Sequence, residues 1–106
     1  MILKAYCTYD SAAGAYMQPW FVHNDALAVR YFSDTVNGDK GLAIETHPEH
    51  YSLYHVGEFD DVTGMFLPLN EPRFIGSAIE YIMPSDEQSV LDEIVKLKEL
   101  FTKGVH

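Results

Sequence analysis

The chain has 106 residues and a formal net charge of −9, which disfavours nucleic-acid binding mainly through phosphates, since such binding needs clustered Lys and Arg. Hydrophobic residues make up 47% of the chain and aromatic residues 13%, so overall disorder is excluded and one domain with its own core is expected. The single cysteine excludes a disulfide framework and a cysteine-rich zinc site, and Cys7 is interpreted as a buried structural thiol.

The N-terminal segment is predicted to form two strands separated by a turn. The two-residue alternation of side chains over Ile2–Tyr9 predicts a strand, and the small residues at 10–16 predict the turn. Pro19–His23 is predicted to be a short aromatic strand that starts at its proline, where a missing N–H is tolerated. Alternation places one set of residues of the first strand on one face, namely Leu3, Ala5, Cys7 and Tyr9. The other face then carries Ile2, Lys4, Tyr6 and Thr8.

A helix is predicted over Asn24–Asn37. Asn24 is a good N-cap, and Gly38 is placed to end the helix in a left-handed conformation. Ser33 is predicted on the polar side, and residues 39–46 are predicted to form a loop. The predicted apolar stripe consists of Ala28, Val29, Phe32 and Val36.

The middle of the chain is predicted to form a hairpin. His47–Tyr51 is predicted to be a turn or a single helical turn, and Leu53–Phe59 a strand. Asp60–Gly64 is predicted to be a hairpin loop that ends on a glycine with positive φ, and Met65–Leu69 its partner strand. Phe74–Met83 fits a strand or a helix, and we favour a turn followed by a short strand.

A second, amphipathic helix is predicted over residues 84–103. Ser85 and Gln88 form a capping box at its start. A narrow apolar stripe at 4-3-4 spacing predicts an oligomer interface, although the same stripe also suits packing on the sheet. The stripe consists of Val90, Ile94, Leu97 and Phe101. The predicted fold is therefore one α+β domain over 1–106, with a sheet-plus-helix core at 1–83 and a C-terminal amphipathic helix.

No catalytic residues, cofactor or metal site are predicted. His47, His50 and His55 come nearest to a ligand set, but zinc needs three or four converging ligands, and Pro48 favours a turn here. Asp60 and its acidic neighbours are explained by turn geometry. The start of the chain lacks the features of a signal peptide and no apolar run is long enough to span a membrane, so a cytoplasmic protein without membrane contact is expected.

Aromatic residues on or beside the predicted strands offer a mode of nucleic-acid binding that depends little on charge. An aromatic ring on a sheet can stack on an unpaired base. Tyr6, Tyr16 and Trp20 are the candidate stacking residues, and Lys4 and Arg30 the candidate sources of local positive charge. The alternative is that these aromatic residues fill the core of a small sheet.

Two sequence blocks, in order, resemble a known family. Ala5–Phe21 contains an aromatic strand, a Tyr-Asp turn, a small-residue stretch with Ala-x-x-x-Pro and an aromatic pair. His47–Gly64 contains His-Pro, an acidic residue, a Leu-aromatic strand ending in Gly-Glu-Phe-Asp, and a Thr-Gly turn. With a similar helix between them, near Ala26–Val36, the blocks resemble the small nonstructural protein of gokushoviruses, which are single-stranded DNA microviruses. The resemblance covers about Ile2–Glu80.

The resemblance implies a non-enzymatic phage accessory protein in the host cytoplasm. The family is often described as a phage DNA-binding protein, which implies a role in single-stranded genome synthesis or its handover to packaging. Single-stranded DNA and phage or host replication proteins are the implied partners, and the family has no established catalytic residues to transfer. The alternative is a homo-oligomeric interaction module that acts on phage or host proteins without contacting DNA.

Overall fold

A computed structural model describes residues 1–83 and 94–98 and confirms the α+β class. Residues 94–98 are helical, and the rest of the predicted C-terminal helix lies outside the described residues. The strands are β1 (Ile2–Asp10), β2 (Ala15–Tyr16), β3 (Trp20–Val22), β4 (Tyr51–Asp60) and β5 (Phe66–Ser77). The helices are α1 (Asp25–Val36) and the short α2 (Ala43–Thr46), with 3-10 turns at Pro48–His50 and Ala78–Tyr81.

All strand pairs of the sheet are antiparallel, and β1 is central. Along one edge, β1 pairs with β2 near its C-terminal end and with β3 near its N-terminal end, as in Tyr9 with Tyr16 and Lys4 with Val22. Along the other edge β1 pairs with β4, which continues through a hairpin into β5. Gly64 closes this hairpin with a φ of 73°, as the sequence predicted.

The core lies between one face of the sheet and α1. Tyr6 of β1 and Leu53 of β4 are fully buried beneath the helix. The apolar stripe predicted for α1 is confirmed, because Ala28, Phe32 and Val36 all lie in this core. Ser33, predicted on the polar side, is buried as well. Its position follows from the 3-10 turn that ends at Tyr81, since this turn packs against the same side of the helix.

Both ends of α1 are capped by asparagine. The Asn24 side chain accepts a hydrogen bond from the Leu27 amide at 2.9 Å, which confirms the predicted N-cap. The prediction of a left-handed glycine at the other end is wrong, because Gly38 has no positive φ. Asn37 holds that end instead, donating to the Tyr81 carbonyl at 2.8 Å and accepting from the Met83 amide at 2.9 Å. These long-range bonds fix the helix end without a glycine cap.

Three further predictions are wrong. Residues 39–46 contain α2, whose start is stabilised by the Glu45 carboxylate accepting the Leu42 amide at 2.7 Å. The second hairpin strand does not end at Leu69 but runs to Ser77, since β5 is an edge strand and tolerates the missing N–H of proline. The segment Phe74–Met83 is strand first and 3-10 turn second, because the Tyr81 ring folds back over Gly76, where a side chain would collide with it.

Candidate nucleic-acid interface

The sheet face opposite α1 is covered by aromatic side chains. Alternation along β1 places Leu3, Ala5, Cys7 and Tyr9 on this face, and direct cross-strand pairing places their partners there too. We call this surface the aromatic face, and its rings belong to Tyr9, Tyr16, Phe21, Tyr54, Phe59, Phe66 and Phe74.

The rings of the aromatic face touch one another across four strands. Tyr16 lies with its ring centroid 4.8 Å from that of Tyr9 and 5.4 Å from that of Tyr54. Tyr54 in turn lies 5.6 Å from Phe74 on the edge strand. Centroid separations of this size are typical of packed aromatic pairs. The result is a continuous row of rings from β2 to β5.

A second group of rings lies nearer the β4–β5 hairpin. Phe21 and Phe59 have ring centroids 5.7 Å apart, and Phe66 is the cross-strand partner of Phe59. The Phe66 ring lies across Gly57, where an added Cβ would be only 2.6 Å from Cζ of that ring. The absence of a side chain at Gly57 therefore leaves the space that the Phe66 ring occupies.

Much of this aromatic surface is open to solvent. Tyr16 and Phe21 are each 45% exposed, Phe66 is 44% exposed and Phe74 is 54% exposed. A single exposed aromatic residue is ordinary, but several on one sheet face form an apolar patch of the kind that marks a binding surface.

Ala5 and Cys7 lie beneath these rings and are buried. Burial raises the pKa of the Cys7 thiol, so the sulfur stays protonated near neutral pH. This confirms the interpretation of Cys7 as a structural thiol.

The strand positions that carry the aromatic face hold no charged side chain. Lys4 and Glu58 pair across β1 and β4 but lie on the opposite face. Partial desolvation, together with the neighbouring Tyr54 and Tyr9, raises the pKa of Tyr16, which is therefore neutral at physiological pH. The aromatic face therefore offers a binding molecule apolar and aromatic contacts, but no charged side chain.

Of the five residues predicted to bind nucleic acid, only Tyr16 lies on the aromatic face. Tyr6 is fully buried under α1 and cannot present its ring to a base, so the prediction of Tyr6 as a stacking residue is wrong. Trp20 packs against Tyr6 with a centroid separation of 5.5 Å, on the α1 side of the sheet. Arg30 is exposed on α1. The five residues therefore do not converge on one surface.

Lys4 belongs to a polar network that sequence reasoning missed. Its Nζ lies 3.8 Å from Asp25, which also accepts hydrogen bonds from the Tyr6 hydroxyl and from Arg73. Desolvation would raise the pKa of Asp25, but the hydrogen bonds from Tyr6 and Arg73 outweigh it and hold the pKa below its usual value. Lys4 and Arg73 are thus engaged by a carboxylate.

His55 completes this network inside the sheet. Its Nε2 donates to the Gly57 carbonyl at 3.0 Å, so its Nδ1 is free to accept from Arg73 Nη2 at 3.1 Å. Desolvation lowers the pKa of His55, and the Arg73 charge lowers it further. The folded protein therefore holds this imidazole neutral.

Comparison with known proteins assigns the chain to a family. The family model described as Phage ORF5 protein matches residues 3–81. This chain is a member of the Phage ORF5 protein family. No curated protein and no solved structure matches it. The sequence-based expectation of a phage nonstructural protein agrees with this assignment. Apart from Ile2, the first residue of β1, the matched region contains the five strands β1 to β5 and the helices α1 and α2.

The three candidate histidines of this Phage ORF5 family member, His47, His50 and His55, do not gather around a common point. His47 and His50 both face Glu49, with nitrogen–oxygen distances of 3.3 Å and 3.8 Å, whereas His55 lies in the sheet with Arg73. Across residues 1–83 and 94–98, no group of three His, Cys, Asp or Glu side chains is arranged to hold a metal ion.

The predicted oligomer interface lies partly outside the described residues, since Val90 and Phe101 are not among them. Ile94 is 42% exposed and Leu97 is 65% exposed. In the described part of this Phage ORF5 family member, no helix is long and apolar enough to cross a membrane.

Proposed function

We propose that this phage accessory protein is not an enzyme and that it binds single-stranded DNA weakly through the aromatic face. We place this activity in the host cytoplasm, during synthesis of the single-stranded genome or its handover to packaging. The observation that carries the proposal is the row of partly exposed rings across four strands, with Tyr16 at one end and Phe74 at the other. Stacking of a base on such a ring contributes about 1–3 kcal/mol.

Charge explains why the proposed ligand is a single strand and not a duplex. Duplex binding draws most of its affinity from Lys and Arg that neutralise phosphates, and this chain has seven such residues against 16 acids. Stacking needs unpaired bases, which offer a π-face whatever their sequence. An uncharged aromatic surface on an acidic protein therefore favours weak binding of single strands with little sequence preference.

Fluorescence anisotropy of a labelled thymidine oligonucleotide, single-stranded and duplex, tests the proposal. We expect binding of the single strand only. Replacing Tyr16 and Phe74 together by leucine keeps an apolar surface but removes two rings, and we expect affinity to fall by about tenfold for each ring that stacks. The matched control is Tyr16→Phe with Phe74→Tyr, which keeps both rings and should bind as the wild type does. Equal affinity of the leucine variant, or no binding at low salt, would contradict the proposal.

A homo-oligomeric interaction module, acting on phage or host replication proteins, is the second candidate function. The exposed apolar side chains of residues 94–98 favour it, because Ile94, Val95 and Leu97 are 42%, 53% and 65% exposed. A helix that exposes such residues can bury them against a second copy of itself. In this candidate the last helix carries the function and DNA is not contacted.

The Leu97→Glu variant tests whether the last helix binds a second copy of the protein or packs on its own chain. It places a charge on the apolar stripe, so we expect light scattering to show a smaller particle than the wild type. Lys96→Glu changes charge at an exposed neighbouring position and serves as the control. A Leu97→Glu protein that keeps its oligomeric state but loses thermal stability would mean that the helix packs on its own chain, which would end this candidate.

A further inference from the structure

A cleft of about 340 Å³ opens on the α1 side of the molecule, away from the aromatic face. Three aromatic side chains contribute to its lining, namely Trp20 of β3 and Tyr31 and Phe32 of α1, of which Phe32 is buried. Tyr31 is 49% exposed, so this ring is open to solvent as well as to the cleft. A cleft of this volume is at the small end of ligand pockets.

Two polar side chains in the lining have unused hydrogen-bonding capacity. Among the described residues, neither the Gln18 amide nor the Thr8 hydroxyl has a hydrogen-bond partner. Thr35, by contrast, donates its hydroxyl to the Tyr31 carbonyl at 2.9 Å. The Gln18 amide therefore retains both a donor and an acceptor for a ligand.

The chemistry of the lining selects a neutral, planar ligand. No charged side chain lines the cleft, so nothing there neutralises a phosphate or another ion. Aromatic side chains favour the larger, two-ring system of a purine over a single pyrimidine ring, and a glutamine amide can pair with the N6/N7 edge of adenine through one donor and one acceptor. We propose that this cleft binds an unstacked adenine base, held against the rings of Trp20 and Tyr31 and read by Gln18.

This site does not depend on the aromatic face. The cleft lies on the α1 side of the sheet, and its proposed contact with Gln18 has no counterpart on the aromatic face. Binding of oligothymidine to the aromatic face and binding of adenine to the cleft can therefore succeed or fail separately.

Trp20 is the only tryptophan of the chain and lines the cleft, so its fluorescence reports on occupancy directly. We expect adenosine to quench this fluorescence saturably, and uridine at the same concentrations to quench it far less. Gln18→Ala should weaken adenosine binding about tenfold, the size of one bidentate base contact. Gln18 is exposed, so this variant should fold normally. Val62→Ala, in the exposed β4–β5 hairpin loop and outside the lining of the cleft, should leave the adenosine titration unchanged.

A titration with oligoadenylate identifies the source of the base. Quenching by adenosine alone assigns a free nucleoside as the ligand, and quenching by both adenosine and oligoadenylate assigns a base within a strand. Absence of saturable quenching by adenosine would overturn the proposal. Equal quenching by adenosine and uridine, or an unchanged titration of Gln18→Ala, would overturn the assignment of adenine and of its contact with Gln18.

Discussion

Asp25 and Arg73 are 48 residues apart in the chain, yet Arg73 Nη2 lies 2.9 Å from each carboxylate oxygen of Asp25. This pair connects the first turn of α1 to the edge strand β5. The Tyr6 hydroxyl donates to the same carboxylate from the centre of the sheet, and Arg73 also reaches His55 on β4. One acidic side chain thus joins the helix that covers the core to three positions on the sheet.

Replacing Asp25 by asparagine should lower the free energy of unfolding at neutral pH by about 1 kcal/mol, because the pair with Arg73 loses its charge while Tyr6 keeps an acceptor. The loss should shrink in high salt, which already screens the wild-type pair. Urea unfolding at low and high salt measures both effects. Asp34→Asn, on the same helix, is the control and should change stability little. A salt-independent loss of the same size would mean that charge is not the cause.

His55 should make stability depend on pH. Its pKa is lowered in the folded protein, whereas the pKa of the same imidazole in the unfolded chain is about 6.5. The unfolded state therefore takes up the proton first as pH falls. Stability should therefore fall as pH drops below about 7, by at most about 1.4 kcal/mol per pH unit for this one group.

The His55→Gln variant should flatten this dependence between about pH 7 and about pH 5.5, the window where the free imidazole titrates. Thermal unfolding across that range is the measurement. His23→Gln is the matched control, because the His23 side chain is exposed, and it should keep the wild-type slope. If His55→Gln retains that slope as well, another group carries the pH dependence.

The Gly57→Ala variant should be less stable by about 1–3 kcal/mol, the usual cost of overpacking a filled site. Its new Cβ would lie 2.6 Å from Phe66 Cζ and 2.9 Å from the Leu67 carbonyl oxygen. In a Phe66→Ala background the ring collision is gone, so the same change should cost less. Urea unfolding of the four proteins in this cycle gives the coupling between the two positions. If the two substitutions change the free energy of unfolding additively, the Phe66 ring does not limit the size of the side chain at position 57.

Binding of single-stranded DNA should depend only weakly on salt. Each phosphate contact contributes a slope of about −0.7 to the plot of log affinity against log salt on single strands. Lys4 and Arg73 are held by Asp25, which leaves few cations to contact phosphates. Anisotropy titrations over a range of salt give the slope. A slope of about −2.8 or steeper would imply four or more phosphate contacts and would refute binding by stacking.

Local patterns predicted the elements that depend on near neighbours. Asn24 was recognisable as an N-cap because its partner, the Leu27 amide, lies three residues away. The hairpin loop that ends at Gly64 was recognisable for the same reason. Gly38, by contrast, looked like a helix terminator, but the helix end is fixed by Asn37 bonding to Tyr81 and Met83, 44 and 46 residues away. No local signal could reveal those bonds.

For the predicted binding residues too, the sequence indicated local features, whereas distant contacts decided the outcome. Strand alternation separated Tyr6 from Tyr9 in the sequence, but it did not determine which face α1 would cover. Tyr6 is buried, and Tyr9 lies with Tyr16 and Tyr54 on the aromatic face, where Phe74 joins them. The sequence pattern does not place Phe74, because the segment Phe74–Met83 fits both a strand and a helix.

Composition, strand alternation and capping residues alone determined that this chain is an acidic α+β domain with a buried thiol and a capped helix. The family resemblance was also present in the order of two sequence blocks. Only the tertiary structure decided which aromatic rings are open, and that Lys4 and Arg73 share one carboxylate. The physical reason is that periodicity specifies two faces of a strand, whereas the packing of a helix and distant strand register decide which face is buried.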